Sequence, residues 1–335
     1  MKHRYFLSIL LLIIPFSLWA KINVTFTGSI GGDSFTYYTE AYADALEQFF
    51  AANADAFTIS NVSQPVFGEP YRDLVLGVTG GLATATPPDA GQAGSQSLGY
   101  GFGVTAAPFL TLSLDPLSSL LDLEFFKDSD FTIKLLPLSL HIKETHMKFF
   151  NLGLFFRKQY HSKAKLWGNW LTFLGTNYGV GLFYTRNTIS TVVDIDHAEY
   201  VALPDGSVAV LTAEKAYLNF ETESSSLDFE FKGYVNVLWV MDFFAGAGLT
   251  VNTTNKFTTN SRIPGHLEFL YSGTSGSGDG TLLMTGSGEG QAAIFRIMGG
   301  FQVNLGPVKI PVQYTKAVTK NVVVHVTTFG VSLSF

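Results

Sequence analysis

Cysteine is absent from the 335-residue chain, which excludes a disulfide framework, a thiolate metal site and a cysteine nucleophile. Charged residues are also scarce: Asp, Glu, Lys and Arg make up 14 % of the chain, compared with about 25 % in average soluble domains. The 27 acidic residues outnumber the 21 basic ones, so we expect no nucleic-acid partner. An apolar content of 47 % excludes a disordered chain.

Catalytic and cofactor motifs are missing as well. The sequence contains no G-x-S-x-G elbow, no H-E-x-x-H pair and no P-loop. Its seven histidines are scattered along the chain. We therefore expect no enzymatic activity, no catalytic residues, no cofactor and no metal site.

Long apolar runs occur only at the N-terminus. Lys2, His3 and Arg4 precede the apolar stretch 6–18, and Ala20 offers a small residue for cleavage. This arrangement predicts a secretory signal peptide over residues 1–20. A membrane anchor is the alternative, but the stretch is shorter than the roughly 20 residues that a spanning helix needs. After Lys21 no window of 18 consecutive apolar residues follows, which excludes a helical membrane protein.

The C-terminus alternates between apolar and polar residues, as in a strand with one greasy face. Such an ending is typical of the terminal strand of outer-membrane barrels. We interpret the apolar positions as the signal read by the barrel-assembly machinery, which is then a partner together with outer-membrane lipids. These positions are Phe329, Val331, Leu333 and Phe335.

The same alternation recurs upstream. Odd-numbered positions between Leu227 and Val251 are almost all apolar. The segment is too long for a single membrane strand, so we expect two strands joined by a tight turn. A soluble β-sandwich is the alternative, but the apolar faces are nearly free of charge over many successive strands. At roughly 20 residues per strand and connection, residues 71–335 predict an antiparallel transmembrane β-barrel of about 12–14 strands in the bacterial outer membrane.

One early segment has a helical rather than a strand-like period. Apolar residues recur at three- and four-residue spacing, opposite acidic residues, which predicts an amphipathic helix over about residues 34–52. Within an N-terminal segment 21–70, this helix would plug the barrel. A periplasmic helix packed under the barrel remains the alternative. The residues expected to form the plug and to contact a ligand are Phe35, Tyr38, Tyr42, Leu46 and Phe49.

Residues 133–142 are apolar on both faces. A strand that faces a water-filled channel would have a polar inner face. Some inward residues of this strand should therefore contact protein or a hydrophobic ligand.

Three stretches carry a family resemblance: AYADALEQFFAANADAF (41–57), FGEPYRDLVLGVTGGLATATPP (67–88), and GGFQVNLGPVKIPVQY (299–314) with the closing FGVSLSF. They resemble a family of uncharacterised bacterial outer-membrane β-barrels, in which a helix precedes a Gly-rich first strand. More distantly, the layout is similar to the long-chain fatty-acid transporters, which are plugged 14-strand barrels. The resemblance implies passive transport of small hydrophobic molecules such as fatty acids.

Two functions remain open at this point. In the first, hydrophobic molecules pass along an apolar lumen that residues 35–52 gate. In the second, a structural or adhesive barrel acts without transport, through extracellular loops at 186–225 and 253–290. Glycines are frequent between Gly273 and Gly290, which predicts a mobile external loop there.

Overall fold

The fold is given by a computed structural model. It describes residues 24–30, 33–39, 43–63, 74–86, 101–168, 170–202, 208–238, 240–271, 274–319 and 322–335. Most of these residues lie in long β-strands, and one long helix precedes most of the sheet.

The described elements are two helices, one 3-10 turn and a single sheet of 13 strands. In chain order they are β1 (Val24–Ile30), β2 (Asp33–Thr39), α1 (Ala43–Val62), β3 (Leu74–Thr86), β4 (Gly101–Ser113), α2 (Asp115–Leu121), the 3-10 turn (Glu124–Phe126), β5 (Ser129–Ile142), β6 (Thr145–Trp167), β7 (Leu171–Ala202), β8 (Val208–Val237), β9 (Met241–Tyr271), β10 (Thr274–Glu289), β11 (Ala293–Leu305), β12 (Val308–Val318) and β13 (Val323–Ser334). Neighbouring strands are antiparallel.

Ten of the described strands close into a ring. Its order is β3, β4, β5, β6, β7, β8, β9, β11, β12 and β13, and β13 pairs back with β3. Strand β9 has two partners on one side: residues 241–251 pair with β11, and residues 256–271 pair with β10. As a result β10, β1 and β2 branch away from the ring as an extension of the same sheet.

This architecture confirms the predicted antiparallel transmembrane β-barrel with a helical plug. The total of 13 strands lies within the predicted 12–14. The prediction assumed that every strand crosses the membrane, whereas β1, β2 and β10 lie outside the ring. The first described ring strand begins at Leu74, and the predicted start at residue 71 lies outside the described residues.

The two ends of the barrel differ in their connections. At one end Gly306 and Pro307 link β11 to β12, and Gly306 adopts a φ of 63° that favours glycine. At the same end β6 ends at Trp167 and β7 begins at Leu171, and β8 ends at Val237 and β9 begins at Met241, so few residues separate these strands too. Barrels of this type have short periplasmic turns and longer extracellular connections, so the short-turn end is the periplasmic one.

At the extracellular end, strands continue far beyond the membrane. Strands β7, β8 and β9 contain 32, 30 and 31 residues, whereas roughly 9–11 residues cross a bilayer. The predicted loops 186–225 and 253–290 are therefore wrong in part, because most of their residues extend these strands or form β10. Within Gly273–Gly290, residues 274–289 pair along β9, and this backbone pairing overrides the glycine content.

The N-terminal helix was predicted with the wrong boundaries. Residues 33–39, including Phe35 and Tyr38, form β2 and pair with β1, and α1 begins only at Ala43 and continues to Val62. The sequence of β2 is rich in Phe, Tyr and Thr, which favour strands. The spacing of its aromatic residues matched a helical period by coincidence.

The amphipathic description of the helix was also wrong. From Phe50 onward every residue of α1 is buried except the half-buried Phe57. Polar side chains such as Asp55, Thr58 and Ser60 are as inaccessible as the apolar ones. A helix enclosed on all sides needs no solvent-facing stripe, and its polar groups must instead bond to the surrounding wall.

Helix α1 packs most closely against the inner face of β4. A Cβ atom on Gly103 would lie 2.7 Å from the backbone carbonyl of Ala56, and one on Gly101 would lie 2.5 Å from that of Ala52. One step further along, the Thr105 hydroxyl donates to the Ser60 carbonyl at 3.0 Å. Small residues four apart on the helix thus meet residues two apart on the strand, and the two backbones approach closely.

We predict that Gly103→Ala lowers the free energy of unfolding by about 1–3 kcal/mol, because the added methyl group forces α1 off β4. Urea unfolding of the refolded barrel measures this loss. Gly233→Ala is the matched control, since its new Cβ would meet no atom closer than 3.9 Å. Equal stability of both variants would contradict the close packing of α1 on β4.

Candidate functional site in the barrel lumen

The outer face of the ring is apolar. On β13, Phe329, Val331 and Leu333 point outward with 53 %, 52 % and 43 % of their surface exposed. On β11, Phe295 and Ile297 do the same at 57 % and 52 %. A closed ring with such an apolar belt is suited to lipid and not to water, because its outer face is apolar and its strands are hydrogen-bonded to one another around the ring. The protein is a barrel of the bacterial outer membrane, as predicted.

The belt continues onto the connection between β4 and β5 at the periplasmic end. The Phe125 ring stacks on outward-facing Phe156 with ring centroids 5.4 Å apart. The Lys158 ammonium donates to the carbonyl oxygen of Phe125 at 3.0 Å, which holds this connection against the wall. Leu120, 80 % exposed, and Trp167, 79 % exposed, extend the apolar surface to the rim of the barrel.

The inside of the periplasmic half is filled by a buried layer of charge. Arg296 on β11 donates to the Asp228 carboxylate on β8, at 2.6 Å for one of the two contacts, and to Glu230 at 3.3 Å. The Lys232 ammonium lies 3.0 Å from Glu230. Arg157 on β6 pairs with Asp130 on β5. Three cations therefore face three carboxylates in this layer, as buried charges require.

Glycine makes room for the charge layer. Between Arg296 and Glu230 in the register stands Gly248 of β9. A Cβ atom there would lie 2.9 Å from the Arg296 guanidinium carbon. The guanidinium can cross β9 to reach β8 only because this inward position has no side chain.

Above the charge layer, aromatic rings close the lumen. Phe155 and Phe183 point inward from β6 and β7 with ring centroids 6.4 Å apart, and both are buried. The prediction of a continuous apolar path is therefore wrong for the periplasmic half. There many inward positions are polar or charged, among them Arg296, Asp228 and Lys232, and they lie next to buried aromatic rings.

Helix α1 is fastened to the extracellular side of the lumen through Asp55. Its Oδ1 atom accepts from the Asn255 side-chain amide and from the Gln291 backbone N–H, both at 2.8 Å. The Thr58 hydroxyl donates to the Asn255 carbonyl oxygen at 3.0 Å. Burial raises the pKa of Asp55 to about 6, although its hydrogen bonds from Gln291 and Asn255 act in the opposite direction.

The other end of α1 is fastened by Lys134 of β5. The Lys134 ammonium donates to the backbone oxygen and to the side-chain oxygen of Asn61, both at 3.0 Å. Cations are favoured at the carbonyl end of a helix, where the last backbone oxygens lack helical partners. Asn61 in turn donates to the Thr185 hydroxyl on β7.

Inward-facing residues of β5–β8 form an apolar surface above Lys134, which we call the inner wall. Strand alternation places its members on the same face as buried Lys134, Asn151, Thr185 and Thr222. These residues face the lumen but are not fully buried: Leu138 is 36 % exposed and the other six are half-buried, Phe220 in contact with Phe257 of β9. The inner wall consists of Leu136, Leu138, Leu140, Met147, Phe149, Ile189 and Phe220.

Beside the inner wall, β4 and β5 part. They pair only between residues 109–113 and 130–134. Beyond that point 101–108 and 135–142 have no strand partner across the gap among the described residues. Asn53 of α1 accepts from the Phe102 N–H at 3.0 Å and so satisfies part of the free edge of β4. Each unpaired segment contains a proline, Pro108 or Pro137, a residue confined to edges in sheets.

The structure separates the residues that the sequence grouped into a plug. Phe35 and Tyr38 lie in β2 and not in the helix, and Tyr42 lies outside the described residues. Leu46 and Phe49 belong to α1. Phe49 contacts Phe50 with ring centroids 5.6 Å apart. A ligand-binding role for these residues stays a prediction.

Sequence reasoning recognised one strand of the site but not its polar part. The two apolar faces of residues 133–142 match the structure, in which Leu136 and Leu138 face the lumen and Leu135 faces outward. Lys134, Asn61 and Asn187 were missed. Lys134 interrupts an apolar run, and that interruption was the available signal. Among the described residues, no helix is long and apolar enough to cross a membrane, and no cluster of acidic and histidine side chains is arranged for a metal ion.

We predict that Arg296→Met lowers the free energy of unfolding by about 3–5 kcal/mol, because it leaves Asp228 buried without its cation and removes one of the two cations beside Glu230. Urea unfolding measures the effect. Arg186→Met is the matched control: its ion pair with Glu221 is exposed, and we expect little change. A similarly small loss for both variants would contradict the role of the charge layer.

A second prediction concerns pH. Because the docked helix holds a proton on Asp55 up to about pH 6, docking should strengthen as the pH falls from 7.5 to 5 and weaken as it rises through 6. Hydrogen exchange of α1 amides, corrected for intrinsic rates, measures docking at both pH values. Asp55→Asn should show strong protection at both. Equal protection of the unmodified protein at both values would refute this assignment.

Comparison with known proteins adds a family and several solved structures. The translocator domain of the autotransporter NalP from Neisseria meningitidis aligns with 88 % of this chain and 99 % of its own, at 14 % identity and a TM-score of 0.33. The Ralstonia pickettii toluene transporter TbuX aligns with 86 % and 99 %, at 10 % identity and a TM-score of 0.24. A Pseudomonas aeruginosa FadL homologue aligns with 86 % and 98 %, at 9 % identity and a TM-score of 0.24. No curated protein matches the sequence significantly. Residues 21–335 match the family model described as Lsa36-like, and the chain belongs to this family.

Proposed function

We propose that the barrel passively takes up small hydrophobic molecules, such as fatty acids, through its extracellular half, with α1 as the gate. One observation carries the proposal: the inner wall is apolar and faces the lumen, yet it remains accessible, as the 36 % exposure of Leu138 illustrates. In a lumen filled only by protein, such residues would be packed. Each methylene group that a ligand buries there contributes about 0.8 kcal/mol.

A ligand must first reach the inner wall and then move on toward the periplasmic end, and the barrel obstructs only the second step. The extracellular end and the gap between β4 and β5 give a ligand access to the inner wall without breaking a strand pairing. Further movement of the ligand toward the periplasmic end is obstructed by Phe155, Phe183 and the charge layer. Passage therefore requires α1 to shift, and the resting barrel should conduct few ions.

The surroundings of the barrel follow from its outer face. We expect outer-membrane lipids to cover the belt. We also expect the barrel-assembly machinery to recognise the outward row on β13, which consists of Phe329, Val331, Leu333 and Phe335.

A second candidate function is a non-transporting surface barrel that binds partners through its extracellular sheet. The length of β7, β8 and β9 favours it, because about two thirds of each strand lies beyond the span of a membrane. Pairing with β10 makes this extension a broad surface.

Uptake by refolded mature protein in liposomes tests the two candidates. We predict that Leu138→Gln and Phe149→Gln each lower uptake of a hydrophobic tracer about tenfold, because each removes one large apolar contact from the inner wall. The matched controls are Leu135→Gln and Phe150→Gln, on the outer face of the same strands. Per folded barrel, the controls should transport normally.

The possible outcomes separate the candidates. Uptake with low ion conductance, reduced only by the inner variants, supports transport. If all four variants reduce uptake equally, the effect comes from folding and the inner wall has no special role. If the intact protein gives no uptake, transport is refuted and the surface barrel is favoured.

A further inference from the structure

Three buried polar side chains lie on the same inner face as the inner wall, in register with Leu136, Leu138 and Phe149, and each has polar atoms without a hydrogen-bond partner among the described residues. Asn187 on β7 is 3 % exposed, and neither its amide nitrogen nor its oxygen has a hydrogen-bond partner within the described residues. The hydroxyl of Thr222, its register neighbour on β8, is unpaired in the same sense. So is the side-chain oxygen of Asn151 on β6. Buried polar groups are rarely left unsatisfied, so such a cluster points to an absent water or ligand.

A buried lysine lies on the same face, one inward position along the strands from Asn151 and two from Asn187. Lys134 faces Gly153 in the register, and Asn151 lies two residues from Gly153 on the same face of β6. Lys134 is 2 % exposed, and in the described part of the chain no carboxylate forms an ion pair with it. Its two acceptors are neutral oxygens of Asn61. Buried charges are normally neutralised by a partner.

We propose that Lys134, Asn187, Thr222 and Asn151 form a head-group site for an amphiphile with a carboxylate head and a single apolar tail. This inference rests on the proposed function and specifies the class of its substrate. The tail would lie on the inner wall, and the head would meet a cation and polar donors at its base. A neutral head would satisfy the hydrogen-bonding groups but leave Lys134 without a counter-charge.

The head has a defined place to bind. Of the two oxygens that accept from Lys134, only the Asn61 side-chain oxygen can be removed by a rotation about side-chain bonds. A carboxylate oxygen takes its place and keeps the ammonium satisfied. Because Asn61 belongs to the last turn of α1, ligand binding loosens the contact that fastens this end of the plug.

The site can be distinguished from a structural feature by comparing two asparagines on the same face of β7. Asn187→Leu replaces an unsatisfied amide, so the urea midpoint should stay the same or rise. Asn177 donates to the Tyr234 hydroxyl at 2.7 Å, so Asn177→Leu should lower the midpoint. For ligand binding the order is reversed: only Asn187→Leu should weaken it.

Binding of radiolabelled dodecanoate and dodecan-1-ol to amphipol-trapped protein at pH 7, corrected for amphipol alone, provides the measurement. The intact protein should prefer the acid. Asn187→Leu should weaken acid binding about 3- to 10-fold, and Lys134→Met about 10- to 100-fold. Alcohol binding should change little in Lys134→Met, which also shows that the barrel is folded.

Two other results would overturn the proposal in different ways. If acid and alcohol bind equally and neither variant changes this, the polar cluster holds water only, and the proposed uptake of hydrophobic molecules stands. If the intact protein binds neither ligand, the proposed function fails and the head-group site fails with it.

Discussion

The contact of α1 with the glycine-lined face of β4 determines how the lumen is divided. At Gly101 and Gly103 the helix backbone approaches so closely that no Cβ atom fits between helix and strand. A helix held this firmly on one side cannot fill a ten-strand ring evenly. The part of the wall formed by β5–β8 keeps accessible apolar residues, and the gap between β4 and β5 is covered in part by Asn53.

The two halves of the lumen are stabilised by different forces. In the periplasmic half, ion pairs join nearby strands, as Arg296 of β11 and Asp228 of β8 do across β9. Such pairs add little net stability, but removing one partner is costly, so they hold a fixed arrangement. The extracellular half has apolar contacts and two fastenings of α1, at Asp55 and Lys134. Because the extracellular half has fewer buried ion pairs to break, a movement of α1 costs the least free energy there.

The sequence was a good guide wherever one strand could be considered alone. The alternation of apolar and polar residues along 329–335 and 227–251 predicted strands of the barrel wall. This prediction needs only the local sequence, because successive side chains of a strand point to opposite faces. Sequence reasoning failed where contacts between residues far apart in the chain determine the structure. Residues 33–39 pair with β1, and the polar residues of α1 are buried because the barrel surrounds them. The head-group site joins residues 134, 151, 187 and 222 of four consecutive strands, and only the register between those strands brings them together.

Lys134 takes part both in the pairing of β4 with β5 and in the fastening of α1. It lies in the last residue pair that joins β4 to β5, directly below the point where the two strands part. From there its ammonium holds the carbonyl end of α1, and its positive charge lacks a carboxylate among the described residues. A residue placed only to cap a helix could equally be an asparagine or a serine, at no cost of burying charge. A buried cation at the base of an accessible apolar surface is explained more simply by an anionic partner that arrives from the inner wall and releases the helix.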